Sequence, residues 1–174
     1  KELLNAIVAR IKIISGIRRC GKSYLLSELF RKHLLTEGVK KDHIIHIALD
    51  DYEKKQYRNP DNCYKYVKSS IKDNEMYYLL LDEVQMMESF EDVLNGFLHI
   101  KNLDVYVTGS NSKFLSSDVV TEFRGRGDEI RVYPFSFAEF YSAVGGDWSD
   151  AWREYYTYGG MPLILSKKTD ELYY

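Results

Sequence analysis

Residues 11–23 read IKIISGIRRCGKS. A short β-branched run, Ile11–Ser15, enters a loop bounded by Gly16 and Gly21, and Lys22 opens a stretch with helical periodicity. The loop matches G-x-x-x-x-G-K-[ST], and a position between a strand and a helix is what the mechanism of that motif requires. Glycine at 16 and 21 lets the backbone turn tightly and bring N–H groups against phosphate oxygens. The positive end of the helix starting near Lys22 points at the same anion. Lys22 is placed to reach the β- and γ-phosphates of a nucleotide and the Ser23 hydroxyl to bind Mg²⁺. The loop therefore nominates Gly16, Ile17, Arg18, Arg19, Cys20, Gly21, Lys22, Ser23 and Tyr24 as cofactor-binding residues. Arg18 and Arg19 read equally well as solvated or locally paired arginines, and Cys20 as an inert small residue.

Outward from the loop, strand and helix patterns alternate. Lys22–Glu37 reads as a helix, with Leu25, Leu26, Leu29, Phe30 and Leu34 on its apolar face and Gly38 as its stop. His43–Asp50 reads as a strand, and Asn59–Pro60 as a turn before a helix at about 61–72. Met76–Val84 (MYYLLLDEV) is apolar on both faces, as a central parallel strand should be. A helix over Ser89–Lys101, a strand over Asp104–Gly109, a short helix over Asp118–Phe123 and a strand over Glu129–Pro134 follow. Ser136 and Glu139 form a capping box for a helix that ends at Gly145–Gly146, and Ser149–Tyr158 is one more helix. Five strands separated by helices imply an α/β fold: a five-stranded parallel sheet sandwiched by helices.

A nucleotide site also needs a carboxylate for the metal and a base for water. Leu79–Leu80–Leu81 carries Asp82 out at the end of a strand, where parallel sheets bind ligands. Asp82 is expected to hold Mg²⁺ and Glu83 to polarise water; if the strand continues, the two alternate in direction and serve different partners. Gln85 reads as a residue that orients water or as the cap of a turn. At the end of the fourth strand, Asn111 is the first candidate to reach the γ-phosphate or the lytic water, Ser110 the second, and an Asx turn the plain alternative. Arg124 and Arg126 precede the fifth strand; Arg126 is taken as the catalytic candidate, in the same chain or reaching into a neighbour, with a structural ion pair equally open. His33, His43, His46 and His99 do not make a metal site; His43 and His46 sit three apart on the second strand and so point to opposite faces.

Composition bounds the rest. The chain has 174 residues, 45% hydrophobic and 29% charged, which suits one domain with a sizeable core. A net charge of −2 argues against a mainly electrostatic nucleic-acid binder. Its two cysteines form no CxxC pair, which points to a reducing compartment, and the longest apolar run, Met76–Leu81, is too short to span a bilayer. The cytoplasm is the expected location.

The strings IKIISGIRRCGKSYLL, YYLLLDEVQ, VYVTGSNSKFLSS, FRGRGDEIRVYPFSFAEF and YGGMP resemble a bacterial and archaeal AAA-type ATPase family with a GIRR-type P-loop, usually followed by a C-terminal domain of unknown function. The likeness covers about residues 11–162. It implies an ATPase core with an extra strand between the P-loop strand and the Asp82 strand. It also implies Lys22 and Ser23 on phosphate and metal, Asp82 and Glu83 as metal ligand and catalytic base, and Asn111 as the sensor of the fourth strand. The core is expected over 1–145 and the start of a C-terminal helical region, largely absent, over 146–174. ATP as the nucleotide rests on the likeness alone. A homo-oligomer or a protein partner stays open, with DNA as a partner by analogy only and no membrane. Two other readings stand beside Mg²⁺-dependent ATP hydrolysis coupled to conformational change. A small-molecule P-loop kinase is disfavoured by Glu83; a nucleotide-binding switch with negligible turnover is not excluded. The N-K-x-D pattern of a guanine site is missing.

Overall fold

Alternate residues of a strand face opposite sides of a sheet, and here both sides of the central strands are apolar. The computed structural model describes residues 11–109 and 127–166. Strands β1 (Ile11–Ser15), β2 (Ile44–Ala48), β3 (Tyr77–Asp82), β4 (Leu103–Thr108) and β5 (Gly127–Arg131) form one sheet in the order β2-β3-β4-β1-β5. Every pairing is parallel. The strand β4 thus lies between the P-loop strand β1 and the Asp82 strand β3, as the resemblance implies. One face of the sheet is covered by α2 (Pro60–Ser70) and α3 (Phe90–Phe97): Cys63, Val67, Phe90, Val93, Leu94 and Phe97 pack on Ile13, Ile47, Leu79, Leu81 and Val107. The helix α1 (22–36) covers the other, where Leu26 packs on Ile14 and Leu80.

Several elements differ from expectation. The α1 segment (22–36) is not a plain α-helix; it is α-helical over Lys22–Tyr24, π-helical over Leu25–Phe30 and α-helical again over Arg31–Thr36. At its widened turn the Ser27 hydroxyl donates to the Ser23 carbonyl at 2.7 Å, competing with the backbone ladder. The strand β2 starts at Ile44, because His43 ends a 3₁₀ turn (Lys41–His43); it does not lie on a strand opposite His46. Asn59 caps α2 and Pro60 is its first residue, the position where a missing N–H does no harm. The strand β3 stops at Asp82, and Glu83 takes a left-handed conformation (φ 54°, ψ 49°) before the 3₁₀ turn Val84–Met86, so the expected strand alternation of Asp82 and Glu83 does not apply.

Beyond the sheet, α4 (Phe137–Val144) starts at the Ser136–Glu139 capping box, and α5 (Trp148–Tyr158) is capped by Asp147. These helices share a small core of Phe140, Ala151 and Ile164, the last from the 3₁₀ turn Pro162–Ser166. Just before that turn the chain is tied to the segment that follows β5: the Phe135 N–H donates to the Gly160 carbonyl at 2.7 Å, and a Cβ on Gly160 would stand 2.1 Å from the Phe135 oxygen.

Candidate phosphate-binding site

The ends of β1, β3 and β4 meet at the carboxyl edge of the sheet, and each delivers one part of the site. β1 runs into the glycine loop. Gly16 has φ +149°, and a Cβ there would stand 2.3 Å from the Val132 oxygen, so the close approach of the chain leaving β5 demands glycine. Gly21 has φ +99° and precedes the first turn of α1, which no side chain caps. Ile17, Arg18 and Arg19 are exposed, Arg19 in the left-handed region (φ 67°), and Tyr24 is exposed too.

Lys22 is only 4% exposed. Its ammonium donates to the Gly16 carbonyl at 3.0 Å and the Ile17 carbonyl at 2.9 Å, and the Cys20 Sγ lies 3.9 Å away. No carboxylate among the described residues pairs with it. Asp82 mirrors this arrangement. It is 5% exposed, and its Oδ1 accepts hydrogen bonds from the Ser23 hydroxyl (3.1 Å) and the Thr108 hydroxyl, with no cation among its described partners. A buried charge satisfied only by neutral dipoles is costly; among the described residues, both Lys22 and Asp82 are in that condition at one edge of one sheet. A ligand carrying phosphate for Lys22 and a divalent cation for Ser23 and Asp82 removes both penalties, so these residues fit Mg²⁺ and a nucleotide phosphate chain.

Thr108 belongs to the candidate site and was not singled out from the sequence. Fully buried, it donates to Asp82 and accepts the Glu83 N–H at 3.0 Å, so one hydroxyl ties the metal candidate to the backbone of the base candidate. The signal was the pairing of β3 with β4: Leu81 aligns with Val107, and Thr108 is the next residue beyond that pair. Gln85 donates from Nε2 to the Glu83 Oε2. Asn111, Ser110, Arg124 and Arg126 lie outside the described residues.

A protein of Haemophilus influenzae is 32% identical over 161 residues, and the alignment covers 89% of this chain and 40% of that protein. One of Methanocaldococcus jannaschii is 30% identical over 141 residues, covering 79% of this chain and 29% of its own length. The chain therefore spans well under half the length of either relative. The solved structure of C. elegans PCH-2 superposes with a TM-score of 0.56 at 18% identity, over 82% of this chain and 39% of that one, and supports the fold. Residues 8–141 match a family model described as AAA domain.

Proposed function

The chain belongs to the AAA domain family, and from that premise we propose that it binds ATP with Mg²⁺, hydrolyses it, and couples hydrolysis to conformational change within a larger protein of the cytoplasm. The observation that carries the proposal is the pair of buried, oppositely charged side chains, Lys22 and Asp82, each with neutral described partners only. Lys22 draws charge from the β- and γ-phosphates. Ser23 and Asp82 would hold Mg²⁺, which would neutralise phosphate charge. Glu83 takes a proton from water as the water oxygen bonds to the γ-phosphorus; the bond to the β-phosphate oxygen breaks, and ADP and phosphate leave. In this reading Asn111 senses the γ-phosphate, and Arg126 supplies charge to the same or a neighbouring subunit.

Coupling has a candidate route. The Pro162 ring lies 3.6 Å from where a Gly21 Cβ would stand, so the turn that follows α5 rests on the last glycine of the phosphate loop. Movement of the loop would be felt by the helical region from 146 onward, which this reading separates from the 1–145 core. Among the described residues no helix is long and apolar enough to cross a membrane.

Phosphate release with Mg²⁺ and ATP tests the reading. Glu83→Gln is expected to retain nucleotide binding and lose turnover by about 100-fold or more, the scale of a general base. Equal turnover by wild type and Glu83→Gln contradicts the assignment, and transfer of phosphate to an added metabolite without hydrolysis points to a kinase.

A further inference from the structure

We propose that Gln85 is a positioning residue that fixes the Glu83 carboxylate for its attack-site role. This rests on the hydrolytic reading above and extends it to a residue whose side-chain amide donates to the base. Three observations carry it. First, Gln85 Nε2 donates to Glu83 Oε2; an acceptor oxygen needs a donor, so the amide nitrogen faces Glu83 and the amide oxygen faces away. Second, that amide oxygen is buried and has no hydrogen-bond partner among the described residues. A side chain free to choose would rotate its oxygen toward water. Gln85 instead buries an acceptor that no described residue satisfies, a cost comparable to the bond it makes, which is the mark of a group held for its effect on a neighbour rather than for stability. Third, the backbone beneath it is pinned. Met86 N–H bonds the Glu83 carbonyl at 3.0 Å and Met87 N–H the Val84 carbonyl at 3.0 Å, while Val84 and Met87 are buried.

Glu83 sits in the left-handed region, where a side chain other than glycine is strained. With Thr108 holding its N–H and Gln85 its carboxylate, the glutamate is gripped at both ends. Fixing a base within a fraction of an ångström is what converts its basicity into rate.

The test is Gln85→Met, which keeps length and volume and removes both amide atoms. Relative to wild type, kcat should fall by about 10-fold with KM for ATP changed by less than about 2-fold, because the base is loosened while the phosphate loop is untouched. The melting temperature should stay level or rise, since the unsatisfied oxygen is gone. In a Glu83→Gln background the same substitution should change residual turnover no further. A purely structural Gln85 gives the opposite pattern, a lower melting temperature with kcat following it, and that result overturns the proposal. So does an unchanged or raised kcat, or a full additional loss in the Glu83→Gln background. Wild-type turnover no faster than that of Lys22→Ala overturns the hydrolytic reading itself, and the proposal with it; normal wild-type turnover with an unaffected Gln85→Met overturns the proposal alone.

Discussion

The two edges of the sheet treat charge in opposite ways. At the amino edge, before β2 and β3, charges close on one another. The His43 ring, buried and stacked on Tyr77 at 4.2 Å, has its Nε2 3.3 Å from Asp73 and its Nδ1 3.7 Å from Glu75. Lys40 donates to both Glu75 oxygens at 2.9 Å. The Asn102 amide ties down the Asp73 and Glu75 carbonyls. At the carboxyl edge, Lys22 and Asp82 are more deeply buried than those carboxylates, and among the described residues each has hydroxyls, carbonyls or a thiol for company. The first arrangement is complete as it stands and works as a staple between the turns that start two strands. The second has no counter-charge among the described residues, and in the function proposed above a ligand supplies it. On the proposed reading, the same α/β frame separates charges that hold the fold from charges kept for chemistry.

The largest effect should come from the open edge. Asp82→Asn keeps shape and hydrogen-bonding capacity but removes the charge that would hold Mg²⁺; the Mg²⁺-dependent part of ATP affinity should drop by about 100-fold, at the scale of a lost charge–metal contact. Calorimetric titration with and without Mg²⁺ reads this, and equal affinity in wild type and variant would erase the distinction between the edges. Next, His43→Ala should cost about 2 kcal/mol in urea unfolding at pH 7, from the lost ring packing and carboxylate contacts, with ATP affinity unchanged. Lost affinity there would mean that the closed edge also serves the ligand.

The smallest effect involves His46, on the β2 face toward α1. Burial holds its pKa below the usual histidine value, opposed by the nearby Asp82 charge and adjusted by Arg31, Glu28 and Lys54; its Nε2 is buried without a partner among the described residues. Folding thus favours the neutral ring. On acidification the unfolded chain takes up the proton first, so this contribution is present above about pH 6.5, the unfolded value, and is lost as pH falls through the lower folded value. His46→Phe should flatten the fall in stability below pH 6.5, as read from unfolding midpoints across pH; an unchanged slope would move the acid sensitivity away from His46.

Much of this was legible because it is local. The glycine loop, the apolar run of β3 and the Ser136–Glu139 box are each written within a few neighbouring residues, and the structure places them as read. What escaped depends on register or on the chain's way out of a strand. Thr108 acquires meaning only from the pairing of β3 with β4. Glu83 was expected to continue a strand, yet its left-handed turn brings Gln85 back onto its own carboxylate. His43 was assigned to a strand because it precedes isoleucines; its partners Asp73 and Glu75 lie thirty and more residues away in sequence and reach it through the pairing of β2 with β3. The π-helical turn in α1 carries no periodicity signal, since its leucines satisfy an α-helical pattern equally well.

The central claim is that Lys22 is buried for a ligand and not for the fold, and thermal melting of wild type and Lys22→Met with and without Mg²⁺ and ATP tests it most directly. The account predicts that the ligand-free variant melts at or above the wild-type temperature, because a buried charge with no counter-charge among the described residues has been removed. It also predicts that Mg²⁺–ATP at 100 times its Kd stabilises wild type by about 2.7 kcal/mol and leaves the variant where it was. A ligand-free variant that melts well below wild type, with nucleotide raising both or neither, would contradict it.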